Sequence, residues 1–220
     1  MPRSLLWLAA LVACAGGPPA ATQANTAPQV VAPDSTARRL LATLDPAIAQ
    51  EVGYATPRNF TGEPLPGYGV GIALLRREAA DSLRRVAEDL RPRGLGLKVF
   101  DGYRPVRATL AMVAWCERTG RTDLLDDGYI ARRSRHNQGV AVDLTLIDLQ
   151  TGEELDMGTP WDTFAEAAHT ARASGAVAER RRLLVEAMAA RGFVNYENEW
   201  WHFSLAVPDP VPFDLPLEGW

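Results

Sequence analysis

Two short stretches of this chain carry residue types that bind and use a metal. The first is Ser134-Arg135-His136-Asn137-Gln138-Gly139-Val140-Ala141-Val142-Asp143, and the second is Glu199-Trp200-Trp201-His202. Together they offer two imidazoles, one aspartate and one spare glutamate, the ligand set of a catalytic zinc site plus its general base. The chain has three histidines, and two of them fall in these stretches, which makes them the place to look for chemistry. Two neutral imidazoles and a carboxylate leave a fourth tetrahedral position for water, the open coordination that separates catalytic from structural zinc. Glu199 precedes His202 by three residues and would face the opposite way in an unbroken strand, so a bend near Trp200 is needed. With that bend, Glu199 sits over the open position, takes a proton from a zinc-activated water and passes it to the departing amine. A peptide-bond hydrolase must also stabilise an oxyanion. Arg104, at the end of a predicted strand and just before the Pro105 turn, is the candidate cation.

Taken singly, each of these residues has a plainer explanation. A loop histidine is usually surface decoration, Asp143 alone is an exposed strand residue, Arg104 a salt-bridge partner, and Trp200 and Trp201 core or rim aromatics. His169, in an Ala-rich segment with no ligand-type partner at helical spacing, keeps that plainer reading, with Glu166 as a helix-face neighbour. The two stretches taken together, with their spacing, favour the metal site.

The elements that must position these residues are partly visible. Asp34 to Thr43 reads as a short helix, Ile48 to Ala55 as a short strand, and Asn59 to Tyr68 as a loop dense in turn residues. Arg76 to Arg91 is an amphipathic helix with Ala79, Leu83, Val86 and Leu90 on one face, stopped by Pro92 and Gly94. Leu95 to Phe100 is a strand that delivers Asp101-Gly102-Tyr103-Arg104-Pro105, and Pro105 starts a helix that runs to about Arg118 and is stopped by Gly120. Val140 to Ile147 is a strand with one face on the core and Ala141, Asp143 and Thr145 on the other. His136 lies in the loop before it, and Gly139 lets the backbone turn so that His136 and Asp143 converge. Thr163 to Arg172 and Val177 to Arg191 are predicted helices, Phe193 to Tyr196 and His202 to Val207 strands, and Pro208 to Trp220 an extended tail on the domain. Helices and strands intermingle without a Gly-rich phosphate loop or a regular βαβ repeat, so the fold class is α+β, a single domain with a small antiparallel sheet and flanking helices.

At 220 residues and 47% hydrophobic composition the chain suits one domain with a sizeable core. A net charge of -4 and no basic block give nucleic-acid binding no electrostatic support. Residues 1–13 read as a signal peptide of the lipoprotein type: Ser4 to Ala13 is apolar and too short to span a bilayer, and Leu11-Val12-Ala13-Cys14 resembles a bacterial lipobox. Lipidation of Cys14 would then provide the membrane anchor, the only contact with a membrane expected; an ordinary signal cleaved near Ala20 or Ala21 is the alternative. Residues 14–33, rich in Ala, Gly, Pro and Thr, read as a flexible tether, which leaves residues 34–220 as the working domain. Cys116 reads as a small buried apolar residue.

Ser134-x-His136-x-x-Gly139-x-Ala141-x-Asp143 and Glu199-x-Trp201-His202 resemble the signature of the zinc D,D-peptidases related to hedgehog domains. Within that group, Asn59-Phe60-Thr61-Gly62, the doubled tryptophan and Met157-Gly158-Thr159-Pro160-Trp161-Asp162 are similar to the vancomycin-resistance type D-alanyl-D-alanine dipeptidases. The resemblance covers roughly residues 45 to 215. It implies one zinc held by His136, Asp143 and His202, Glu199 as catalytic acid/base, Arg104 as transition-state stabiliser, Asp162 as partner of the substrate's free amino group, and Ser134 as a positioning group for the dipeptide. The resistance enzymes act in the cytoplasm, whereas this chain carries an export signal, so the implied substrate is D-Ala-D-Ala or a similar dipeptide in the periplasm, in wall-peptide turnover or nutrient recovery. A D,D-carboxypeptidase acting on peptidoglycan stem peptides and a non-catalytic wall-binding lipoprotein are the alternatives. The presence of all three ligands, Glu199 and Arg104 argues against the last.

Overall fold

Apolar spacing decides the best-formed elements. In the computed structural model, which describes residues 29–220, the helix α2 (Arg77–Leu90) buries Ala79, Leu83, Val86 and Leu90, the four residues that its periodicity marks. Each large side chain among them contributes about 1.5–3 kcal/mol by leaving water. The helix α3 (Val106–Thr119) begins directly after Pro105 and ends at Gly120 in the left-handed conformation, and Cys116 is buried on it. The helices α1 (Asp34–Leu40), α4 (Asp123–Asp126) and α5 (Gly175–Ala189) complete the set. Among the described residues no helix is long and apolar enough to cross a membrane. The expected signal peptide, Cys14 and most of the tether lie outside the described residues.

The central sheet has five strands, in the order β2 (Ala49–Gln50), β4 (Leu95–Asp101), β5 (Ala141–Asp148), β7 (His202–Leu205) and β6 (Phe193–Asn195). A separate antiparallel ribbon pairs β1 (Leu41–Thr43) with β3 (Leu74–Arg76). The architecture is α+β as expected, but the main sheet is mixed: β2 runs parallel to β4, and the other pairings are antiparallel. The strand β5 lies at its centre and is buried on both faces from Ala141 to Ile147, so the face carrying Asp143 is covered, not open. The C-terminal segment has no regular structure, yet it buries Phe213, Leu215 and Leu217 against the domain.

Three local expectations are corrected. The first helix stops at Leu40 and the chain turns into β1; the strand expected over Ile48 to Ala55 is two residues long and gives way to a 3-10 turn at Gly53–Ala55. Thr163 to Arg172 is not an α-helix but two 3-10 turns, Glu166–Ala168 and Thr170–Arg172, either side of an extended His169. Distant partners take the backbone groups that a helix needs: Arg181 binds the carbonyls of Ala167 and His169, Trp200 N–H donates to Ala168 O, and Thr170 N–H donates to Glu197 O.

Candidate metal centre and active site

Sheet register brings the first two candidate ligands together. Asp143 on β5 stands directly opposite His202 on β7, and on its other side opposite Asp101 at the end of β4. Directly paired residues point to the same face, with Cβ atoms about 5 Å apart. The ring Nδ1 of His202 lies 3.0 Å from Asp143 Oδ1.

His136 arrives from the 3-10 turn Arg135–Gln138 that precedes β5. Ser134 caps this turn, its hydroxyl accepting the His136 N–H at 3.2 Å, while Asn137 Oδ1 accepts the Ser134 N–H. Gly139 ends the turn at φ 68°, and a side chain there would also strike Leu41, so the bend that aims His136 requires glycine. His136 Nδ1 lies 2.7 Å from the carbonyl of Gly102. In the neutral ring this makes Nδ1 the donor and leaves Nε2 as a lone pair. That lone pair faces Asp143 Oδ1 at 3.3 Å and His202 Nδ1 at 3.1 Å. Such a crowd of acceptors fits a shared cation, and two imidazoles with one carboxylate are the donor set that zinc prefers. These three residues are the one cluster of metal-ligating side chains among the described residues. Burial raises the Asp143 carboxyl, but positive charge and donated hydrogen bonds at the His136 and His202 positions outweigh it and hold it well below the usual carboxylate range, so this carboxylate favours a neighbouring cation. Its second oxygen, Oδ2, accepts the indole N–H of Trp161 at 3.3 Å.

Glu199 sits in the turn before β7, as the expected bend requires: its N–H donates to Tyr196 O, and its carbonyl accepts from His202 N–H. Asn195 fixes this turn from below by donating its side-chain amide to the carbonyls of Glu199 and His202, both at 3.0 Å. The Glu199 carboxylate is buried, 3.8 Å from His202 Nδ1. Burial, followed by the charges of Asp143 and Asp162, raises its pKa well above the ordinary value.

Arg104 is buried where β4 runs out. Its Nε and Nη2 donate to Asp101 Oδ2 at 3.1 and 2.9 Å, its Nη2 lies 4.0 Å from Asp143 Oδ2, and its guanidinium covers the Tyr54 ring. Burial works against this charge, but Asp101 and the neighbouring acids outweigh it, so its pKa is raised. Its backbone is tied to the ligand turn as well: Arg104 N–H donates to His136 O, and Asn137 Nδ2 donates to Arg104 O.

Asp162 projects into the same cavity from a loop, with its own backbone left-handed at φ 60°. Both of its carboxylate oxygens lie 2.9 Å from the Tyr54 hydroxyl. Burial, and then the charge on Asp143, pushes its pKa up to about 8. The cavity has a volume of about 260 Å³, small beside the usual ligand pocket, and Arg104, Ser134, Asp162, Glu199 and the three candidate ligands line it.

A model of the peptidase M15 family, described as D-ala-D-ala dipeptidase, matches residues 34–212. The D-alanyl-D-alanine dipeptidase of Enterococcus faecium is 38% identical over 184 residues, which span 75% of this chain and 90% of that protein. This chain belongs to the D-Ala-D-Ala dipeptidase family. Its members of the same name in Streptomyces coelicolor (38% identical over 188 residues, 77% of this chain and 93% of the relative) and Escherichia coli (34% over 177 residues, 78% and 86%) align over a similar extent.

The structure thus gathers every sequence-predicted residue of this family member's site that falls within the described part. His169 stays outside the ligand cluster. It is half-buried and bonded through Nε2 to the Tyr129 hydroxyl at 2.9 Å, so it is not surface decoration; it meets Glu166 through the backbone, its N–H donating to Glu166 O, while the Glu166 carboxylate pairs with Arg172. Three site residues were given no role in the sequence. Asp101, three positions before Arg104, was visible as a charge partner; Trp161 adjoins Asp162; Tyr54 gave no signal, being 108 residues from the aspartate that it holds.

Proposed function

We propose that this chain is an exported zinc dipeptidase that hydrolyses D-Ala-D-Ala. The observation that carries the reading is the convergence of the His136, Asp143 and His202 donor atoms beside a buried Glu199 carboxylate, with Asp162 in the same small cavity. Zinc held by those three residues would supply an activated water and polarise the scissile carbonyl. The remaining work belongs to the side chains. Glu199 removes the water's proton at its carboxylate and delivers it to the departing amine; a pKa raised by burial suits a group that must serve as base and then as acid. Arg104 has N–H groups left over from its bonds to Asp101 and offers them to the developing oxyanion. Ser134, on the cavity wall, positions the dipeptide backbone.

Asp162 supplies the selectivity. An aspartate that burial holds at about 8 is restored to the carboxylate by an ammonium placed beside it, so binding rewards a free amino terminus. A blocked or extended amino terminus brings no charge to restore the carboxylate and must fit beside it in a small cavity. Asp162→Ala is therefore expected to lower kcat/KM for D-Ala-D-Ala by roughly 10- to 100-fold while narrowing the preference over amino-acylated D-Ala-D-Ala. Unchanged dipeptide cleavage by that variant would remove the clamp and favour a carboxypeptidase.

The deciding assay compares the protein with and without zinc on D-Ala-D-Ala, L-Ala-L-Ala and a stem pentapeptide. Zinc-dependent turnover confined to the first is expected; release of D-Ala from the pentapeptide at a comparable rate would overturn the reading. Export through the Cys14 signal would place the dipeptide pool outside the cytoplasm, in wall turnover or nutrient recovery. Cell fractionation should recover the chain with membranes, and intact protein in the cytosol would refute this.

A further inference from the structure

Arg181 on α5 touches none of the residues assigned to catalysis, yet it is 2% exposed. A buried guanidinium normally faces a carboxylate. Among the described residues no carboxylate lies within ion-pair distance of it; Asp156, paired with Arg180, acts on it only from farther off. Its N–H groups go to main-chain carbonyls instead: Nε to Met157 O at 2.9 Å, Nη1 to His169 O at 2.8 Å and Nη2 to Ala167 O at 3.1 Å. Burial lowers its pKa below the ordinary value, a cost that the fold accepts for this geometry.

Those carbonyls bracket a single loop, Met157 at its start and Ala167 and His169 at its end. Between them lie Trp161, which donates to Asp143, and Asp162 in its left-handed conformation. A non-glycine residue persists in that conformation only where its surroundings over-determine it. The loop is laid directly on α5: a side chain on Gly158 would come within 2.8 Å of Val177 and 3.3 Å of Arg181 Nη2. Trp200 closes the other side, its indole N–H donating to Thr159 Oγ1 and its ring lying under the Arg181 guanidinium.

We propose that Arg181 is a positioning residue for substrate recognition, clamping both ends of the 157–169 loop so that Asp162 meets the ammonium of the dipeptide. The proposal rests on the reading of Asp162 given above. In the zinc-loaded protein, Arg181→Met is expected to raise KM for D-Ala-D-Ala roughly tenfold and leave kcat within about threefold, because losing charged hydrogen bonds in the loop weakens binding before chemistry. Arg181→Lys, with one compact ammonium in place of the fork, falls between. Hydrogen exchange should accelerate across 157–169 in the methionine variant and stay unchanged in β4 and β5. In an Asp162→Ala background, Arg181→Met should change kcat/KM by less than about twofold, since residues acting as one unit are not additive. A fall in kcat at constant KM, or the full loss persisting in that background, would overturn the proposal. If Asp162→Ala alone leaves KM unchanged, the ammonium reading fails and the proposal with it, while faster exchange in Arg181→Met would still show the clamp on the loop. Should the methionine variant not fold, the lysine variant decides: a wild-type KM there overturns the clamp.

Discussion

Glu199→Gln is expected to lower kcat for D-Ala-D-Ala by about 10²- to 10⁴-fold, the range of a lost general acid/base. The substitution keeps the volume of the side chain and its place above the ligand cluster, but it removes the group that takes and returns the proton. Zinc affinity should stay close to that of the unaltered protein, because the donor atoms come from His136, Asp143 and His202 and not from Glu199. Stability should hold or rise. The Glu199 carboxylate is buried, and Asp143 and Asp162 make its negative charge unfavourable, so a neutral amide relieves both burdens. Turnover, zinc content and thermal midpoint measured side by side therefore move apart: the first collapses and the other two do not. Undiminished turnover would refute the assignment of Glu199. Loss of zinc together with activity would make it a ligand instead.

Residue type and spacing exposed the chemistry here more readily than they exposed the contacts. The face Ala79, Leu83, Val86 and Leu90 was legible because helical periodicity is local, and so were the limits of α3, because Pro105 and Gly120 act through their own backbone. The ligands were legible because few side chains bind metal, and the turn at Gly139 followed from the need to join His136 to Asp143. The pairing of Asp143 with His202 was not, since register depends on strands 59 residues apart in sequence. Tyr54 and Arg181 were hidden for the same reason: each earns its role only through partners that the fold brings to it. The segment Thr163 to Arg172 failed in the opposite direction. Its alanines favour a helix, but Arg181, Trp200 and Glu197 bind its backbone groups first. The strand β3 was missed because all three of its residues are buried and no alternation marks it.

Arg104 joins the two kinds of demand, and its replacement should show both. In Arg104→Met the oxyanion loses its cation, with an expected fall in kcat of about 10²- to 10³-fold. The same change strands Asp101, which is fully buried and keeps only the Tyr68 hydroxyl on Oδ1 at 2.6 Å and the edge of His136. Breaking one side of a buried ion pair costs about 3–5 kcal/mol, so chemical denaturation should reveal a large loss of stability beside the kinetic one. The two losses have different cures. Adding Asp101→Asn to Arg104→Met removes the orphaned charge, keeps an acceptor oxygen for Tyr68, and should restore most of the stability without restoring turnover. Activity recovered in the double variant would mean that Arg104 acts on the reaction only by neutralising Asp101. Stability left unrepaired would mean that the guanidinium matters to the fold through its bulk against Tyr54 and Met112, not through its charge. The expected outcome, a folded and metal-loaded protein that cannot turn over its dipeptide, separates the residue's catalytic duty from its structural one.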